Sequence, residues 1–375
     1  MSSPLPELRW GIIATGMIAS WFVTDLSLNR PDARAKHTIR AIGSSSKAKA
    51  QKFMEDFIPS SEHPSVSCHG SYADVYTDPN VDIVYIATPH AFHKQNCLDA
   101  INAGKHVLCE KPFTINAQEA KLVIDAAREK GVFVMEGLWT RFFPIASKWN
   151  ELLHTQQVLG NINRTFVDFS LDMPLKELPA TSRLLDVKLG AGSLLDIGIY
   201  AITWGLLSLE TPGAREQPQI SAKQTLVNGV DVSSSLLLYY DQTGRQGIIT
   251  SSLLHKSNEV FARVEGSRGT LFLSGSAASM PDTITLSLKP SNAGKDMGDK
   301  RHGVDDAERH EEVFRFEETT GGKGFYYEAD AIALDICSGK KESVVMPLDE
   351  TLRVMQIMDE VRAQGGAKFP QDEQA

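Results

Sequence analysis

Three residues of this 375-residue chain have the types and settings that proton-coupled chemistry needs: Lys111, Asp196 and Tyr200. Lys111 lies in Val107-Leu108-Cys109-Glu110-Lys111-Pro112-Phe113. The apolar run 107–109 reads as a buried parallel strand. Pro112 ends the pairing and disfavours helix at the residue before it. Glu110 and Lys111 therefore stand at the strand's carboxyl end, where open parallel sheets bind their ligands. A cation there can reach two bound molecules together; the plainer reading is a solvated Glu-Lys pair. Asp196 and Tyr200 follow the Gly-rich turn Leu189-Gly190-Ala191-Gly192-Ser193 and are four apart, so they share one helix face. An acid and a phenol among Leu194, Leu195, Ile197, Ile199 and Ile202 are unusual, although a hydrogen-bonded buried Tyr and a capping Asp would also account for them. His90 and His93 have a ligand-like spacing, but no third ligand is near and no metal is expected. They read as two histidines beside a bound molecule or as part of a polar loop.

The elements around these residues fall into two sets. Strands at 9–14, 38–42, 81–87, 107–109 and 132–136 alternate with helices at 20–28, 48–57, 94–103 and 116–130, with 60–70 a polar loop. That rhythm predicts a doubly wound parallel sheet. The first strand-to-helix turn is Ala14-Thr15-Gly16-Met17-Ile18-Ala19, a variant of G-x-G-x-x-G that keeps only the middle glycine. Glycine there lets a pyrophosphate approach a helix N-terminus, although an ordinary turn would read the same. The second strand ends in Gly43-Ser44-Ser45-Ser46-Lys47, without the carboxylate that binds the ribose diol of NAD. Three hydroxyls and a cation suit the 2′-phosphate of NADP, and a serine there also suits a helix N-cap.

Beyond Pro144 the pattern changes to a helix at 145–157 and then strands at 165–171, 234–240, 247–254, 260–265, 270–273, 283–288 and 313–316. One large, mostly antiparallel sheet is expected. A charged loop at 291–311 and helices at 325–337 and about 348–364 complete the chain, with Leu348, Leu352, Met355 and Met358 as core residues of the last. The expected fold is a Rossmann dinucleotide-binding domain, residues 1–140, and a substrate-binding and dimerisation domain, residues 141–375.

Composition narrows the function. With 38 Lys and Arg against 47 Asp and Glu, the net charge of −9 provides no broad basic field for nucleic acid. The four cysteines form no CxxC pair, which argues against a disulfide framework or zinc site. No basic-then-apolar leader and no run of roughly 18 apolar residues stands out. The expectation is a soluble cytoplasmic protein that does not engage membranes.

Taken together, these stretches resemble the glucose-fructose oxidoreductase, inositol dehydrogenase and MocA family along nearly the whole chain. Glu110-Lys111-Pro112 matches its E-K-P strand end, and residues 191–198 match its second-domain motif, with Tyr200 where most members have His. The D-I-G-I-Y form at 196–200, together with residues 10–16, 87–90, 135–144, 327–330 and 345–350, is similar to the branch of dimeric dihydrodiol dehydrogenases and NADP-dependent D-xylose dehydrogenases. Ser45 departs from that branch, which often has Arg there.

The resemblance implies NADP held by Ala14, Thr15, Gly16, Met17, Ile18, Ser44, Ser45, Ser46, Lys47, Ala87, Thr88, Pro89, His90, His93, Glu110, Lys111, Trp139 and Arg141. It implies a sugar or polyol substrate held by Lys111, Phe169, Asp196 and Tyr200, and a homodimer through the second sheet. The expected reaction is oxidation of D-xylose at C1 to the lactone, with a trans-dihydrodiol as the alternative substrate. A cofactor-binding sensor without turnover is the alternative from another class. In the expected mechanism Tyr200 is the general base, Lys111 lowers its pKa from about 10, and Asp196 orients the substrate or the Lys111 ammonium.

Overall fold

The computed structural model describes residues 5–213, 216–289, 310–317 and 320–373. The first half alternates as its pattern predicts: β1 (Glu7–Ile13), α1 (Met17–Leu26), β2 (Lys36–Gly43), α2 (Lys47–Phe57), β3 (Ser67–His69), α3 (Tyr72–Thr77), β4 (Ile83–Ile86), α4 (His93–Asn102), β5 (His106–Glu110), α5 (Ala117–Lys130) and β6 (Val134–Gly137). The strands are all parallel in the order β3-β2-β1-β4-β5-β6. The strand order reverses at the boundary between β1 and β4, and the carboxyl ends of these strands open a crevice there. β3 falls within the expected loop; three residues, none of them buried, carry too little apolar pattern to be read.

The second half follows α6 (Pro144–Asn150) with β7 (Ile162–Ser170), α7 (Ile199–Leu209), β8 (Gln219–Val227), β9 (Val230–Tyr240), β10 (Arg245–Ser252), β11 (Val260–Gly266), β12 (Gly269–Ala277), β13 (Met280–Leu288), β14 (His310–Arg315), α8 (Phe325–Cys337) and α9 (Leu348–Gly365). Strands β7 to β14 form one sheet in the order β14-β13-β12-β11-β7-β10-β9-β8, antiparallel except where β10 runs parallel to β7. β8 was not expected, because its residues alternate mainly between exposed and half-exposed positions. Most of the expected loop 291–311 lies outside the described residues, and its last two residues begin β14.

α7 covers one face of this sheet against β7 and β10. With the turns before it, the segment Val187–Leu209 is long and apolar enough to cross a bilayer by composition, a feature hidden from the sequence by its interspersed Gly, Ser and Asp. It is a core helix instead, with 94% of its apolar window buried inside the protein. The helices at the end of the chain return to the first domain. The Asp25 carboxylate in α1 accepts from the Lys323 and Phe325 amides at the start of α8, and the Asp359 carboxylate in α9 accepts from Ala117 N at the start of α5 at 2.8 Å. The two halves therefore share structure across any sequence boundary near residue 140.

Candidate active site

The crevice begins at the β1–α1 turn. Gly16 is the N-cap of α1 and provides no side-chain cap, and no acidic residue lies in the first turn. The leading amides of α1 are thus left for an anion. A Cβ on Gly16 would meet nothing within 4 Å, so the approach to them is open. Ala14 has φ +75, the left-handed conformation that the missing first glycine would adopt without strain. At the end of β4, Thr88 Oγ1 is buried with no partner among the described residues. An uncapped helix end, an open approach and an orphaned hydroxyl fit a dinucleotide.

At the end of β2, the Ser44 hydroxyl is 2.8 Å from that of Thr15, while Ser46 caps α2 by accepting from Lys49 N. Ser45 and Lys47 are exposed, and Lys49 Nζ donates to Ser45 Oγ at 3.0 Å. Lys49 adds a second cation that the strand-end pattern did not mark.

The catalytic candidates meet in a cavity of about 410 Å³ at the same edge, lined by Ala14, Gly16, Met17, Ile18, Ala87, Thr88, Pro89, His90, Glu110, Lys111, Trp139, Phe169, Asp196 and Tyr200. Lys111 Nζ donates to Asp196 Oδ1 at 3.0 Å and to the Asp196 carbonyl at 2.5 Å. Arg183 adds a longer ion pair to the same carboxylate at 3.4 Å. Burial alone would raise the Asp196 pKa, but the charges of Lys111 and then Arg183 outweigh it and hold the carboxyl well below its ordinary range. Burial pushes the His90 imidazole down to about 3, with Asp196 only partly opposing, so the ring is neutral. Its Nδ1 lies 3.1 Å from the Gly190 carbonyl.

Tyr200 differs from expectation. Its hydroxyl oxygen accepts from Trp139 Nε1 at 2.6 Å, and its ring meets Phe169 edge-on at 5.7 Å. Burial, followed by the charge of Glu110, pushes its pKa well above the ordinary phenol value. Lys111 Nζ is 5.4 Å from the ring centroid and is engaged by Asp196, so it does not produce the expected phenolate. Tyr200 therefore rests as a neutral phenol.

The Gly-rich turn is explained by Asp231. Asp231 Oδ2 accepts from Leu194 N and Ser193 Oγ, each at 2.8 Å, and so caps the helix that carries Asp196 and Tyr200. Gly192 has φ +136, and a Cβ there would collide with Asp231 Oδ1.

Two expected cofactor ligands lie elsewhere. Arg141 pairs with Glu350 at 3.3 Å and donates to the Val345 carbonyl, outside the cavity. His93 is fully buried, with its ring nitrogens 2.9 Å from the Pro112 carbonyl and 2.7 Å from that of Thr88, so it ties two loops together. Conversely, Trp21, Leu171, Arg183, Leu189, Ile197 and Ser279 line the cavity and were not singled out. Arg183 and Leu189 sit in an irregular stretch with no periodicity to mark them.

Comparison with known proteins gives a consistent set of relatives. A family model described as an oxidoreductase family with an NAD-binding Rossmann fold matches residues 8–138. The NADP(+) D-xylose 1-dehydrogenase of Hypocrea jecorina is 32% identical over 97% of this chain and 93% of its own. The trans-1,2-dihydrobenzene-1,2-diol dehydrogenase of Mus musculus is 34% identical over 97% and 99%. Among solved structures, a 3-ketoreductase from Actinomadura kijaniata in complex with NADP and TDP-benzene superposes with a TM-score of 0.76 at 23% identity, covering 96% of this chain and 98% of that one. A levoglucosan dehydrogenase in complex with NADH and levoglucosan gives 0.77 at 18%, over 96% and 97%. These two structures bear on the fold alone.

Proposed function

The chain belongs to the glucose-fructose oxidoreductase, inositol dehydrogenase and MocA family of oxidoreductases, in the branch of the D-xylose and dihydrodiol dehydrogenases, and from that premise we propose that it is an NADP-dependent dehydrogenase acting on the CH–OH group of a sugar, D-xylose at C1 first. The observation that carries this reading is the meeting of Lys111, Asp196 and Tyr200 in one cavity beside the uncapped start of α1.

When bound, the cofactor accepts or supplies the hydride at its nicotinamide ring. The protein's part is binding, orientation and the proton. The first amides of α1 would hold the pyrophosphate, and Ser44, Ser45, Lys47 and Lys49 would hold the 2′-phosphate. The Lys111 ammonium, fixed by Asp196, orients the reacting hydroxyl. Tyr200 exchanges the proton at its hydroxyl oxygen. It gives that proton to the oxygen of a carbonyl substrate in reduction and takes it from the carbinol in oxidation, for which the phenolate must form first.

The aromatic and apolar walls at Trp21, Trp139, Phe169 and Leu171 favour a second reading, a trans-dihydrodiol, whose ring would lie flat against them. The outer face of the second sheet leaves Phe166, Leu237 and Ile248 half-buried opposite α7, which supports a homodimer through that face.

The deciding experiment is initial-rate reduction of NADP and of NAD with D-xylose, D-glucose, L-arabinose, myo-inositol and a trans-dihydrodiol. Turnover with NADP and a pentose is expected. Turnover with the dihydrodiol alone would transfer the assignment to the second reading, and NADPH binding without turnover on this panel would refute both substrate assignments in favour of another carbonyl substrate or a cofactor-binding sensor.

A further inference from the structure

The irregular segment 171–190 crosses one side of the cavity and contributes Leu171, Arg183 and Leu189 to its lining. Both of its ends are tied down. Leu171 N donates to the Ser252 carbonyl at 2.8 Å and Met173 N to that of Leu253 at 3.1 Å. At the far end the Gly190 carbonyl lies 3.1 Å from His90 Nδ1. Between them, the Ser182 carbonyl accepts from Leu185 N at 2.9 Å and from Asp186 N at 2.8 Å, and the Leu184 side chain is buried. This anchored turn presents Arg183 to the cavity, where Nη1 lies 3.4 Å from Asp196 Oδ1. The Arg183 side chain is 51% exposed, and among the described residues its guanidinium makes that ion pair and no hydrogen bond.

An arginine carries its N–H donors in a rigid planar fork, so most of this fork is unspent. An ammonium has three donors; Lys111 Nζ gives one to Asp196 Oδ1 and one to the Asp196 carbonyl and keeps the last. Asp196 Oδ2 accepts no hydrogen bond from the described residues. The two cations converge on one carboxylate oxygen, at 3.0 Å and 3.4 Å. The opposite wall offers little competition: Phe169 and Leu171 are apolar, and Trp139 Nε1 is given to Tyr200. A free lysine donor, a free arginine fork and a free carboxylate oxygen, all within reach of one side chain, match two oxygens on adjacent carbons. We propose that Arg183 is a specificity-determining residue that holds the oxygen next to the reacting carbon, so that the site selects a 1,2-diol, or an α-hydroxy carbonyl in the reverse direction. This rests on the dehydrogenase reading above and names the substrate feature that the site recognises. Lys111 takes the reacting oxygen, and the neighbouring hydroxyl accepts from the Arg183 fork and donates to Asp196 Oδ2. A substrate without that second oxygen displaces water from the fork and the carboxylate and gives nothing back, which is the strongest form of discrimination a polar site has.

The test compares wild type with Arg183→Leu, which keeps much of the bulk and removes the donors, on D-xylose and 2-deoxy-D-xylose. The readout is the ratio of kcat/KM for the two sugars. In the wild type D-xylose should be preferred by about tenfold or more, the worth of a hydrogen bond to a charged group. In Arg183→Leu most of that preference should be lost, chiefly through a higher KM for D-xylose. If Arg183 served only to keep Asp196 ionised, the variant would slow both sugars by the same factor and leave the ratio intact, and that result would overturn the proposal. Calorimetric titration of the NADPH-loaded protein with the same two sugars supplies an arm that needs no turnover. The wild type should bind D-xylose more tightly than its 2-deoxy analogue, and Arg183→Leu should bind the two nearly alike. Wild-type protein that binds both sugars alike, or neither, would overturn the proposal. Discrimination in binding without turnover would count against the dehydrogenase reading alone, and turnover without discrimination against the role of Arg183 alone.

Discussion

Replacing Glu136 with Gln should remove one component of the stability that this protein loses as pH rises. Glu136 lies on β6 opposite Cys109 of β5 and is fully buried. Its Oε1 accepts from Phe113 N at 2.9 Å, two residues beyond Lys111, so it anchors the loop that presents the lysine. Burial pushes its pKa from 4.5 to about 7, and the Phe113 amide offsets only part of that. Between those two values the folded protein keeps a proton that the unfolded chain has released, so stability falls as pH rises through the window. Moving the midpoint from 4.5 to about 7 corresponds to about 3 kcal/mol, reached in full only above the folded value. Glu136→Gln cannot ionise and escapes this loss. The variant should be within about 1 kcal/mol of wild type near pH 5 and more stable by about 3 kcal/mol near pH 8. Urea unfolding of both proteins at the two pH values measures this, and taking the difference cancels most other titrations. Curves that keep the same separation at both pH values would refute the reasoning, because they would mean that Glu136 titrates alike in the folded and unfolded chains.

Other predictions concern the site. Tyr200→Phe should lower kcat by roughly 10²-fold or more and leave NADPH affinity, measured by fluorescence titration, nearly intact; comparable turnover would remove Tyr200 from the chemistry. The wild-type rate of carbinol oxidation should climb with pH into the alkaline range, as the raised Tyr200 pKa requires, while carbonyl reduction declines there; parallel profiles would contradict the neutral phenol. Lys49→Ala should raise KM for NADP by about fivefold with little change for NAD, as expected for one exposed charge-assisted contact. Gly192→Ala should lower the thermal midpoint markedly and reduce expression, because the new methyl collides with the capping carboxylate of Asp231; a wild-type melt would refute that account.

Much of the first domain was legible because its information is local. Apolar runs at 81–87 and 107–109, separated by a helix and closed by glycine, permit few topologies other than a parallel sheet. β8 was not legible, since an edge strand with polar, exposed residues has no buried face to impose a pattern. The return of α8 and α9 to the first domain was equally hidden, because it depends on contacts such as Asp25 with Phe325, 300 residues apart. Arg141 shows how a charge near a motif can mislead: its partner is Glu350, 209 residues further on.

The chemical state of the site has the same non-local origin. Sequence identifies Tyr200 and Lys111 as a phenol and a cation that could meet, and the natural inference is a lowered phenol pKa. The fold reverses this by distributing charge differently. Asp196 engages the lysine, Trp139 engages the phenol oxygen, and burial with the nearby Glu110 and Glu328 opposes ionisation of the phenol. Each of these partners comes from a separate element, and the helix carrying Asp196 is capped by Asp231 on β9 through the gap left by Gly192. A motif can therefore name the groups that react while leaving open which of them starts with the proton. That depends on burial and on neighbours brought together by the tertiary fold, and here both keep the proton on Tyr200.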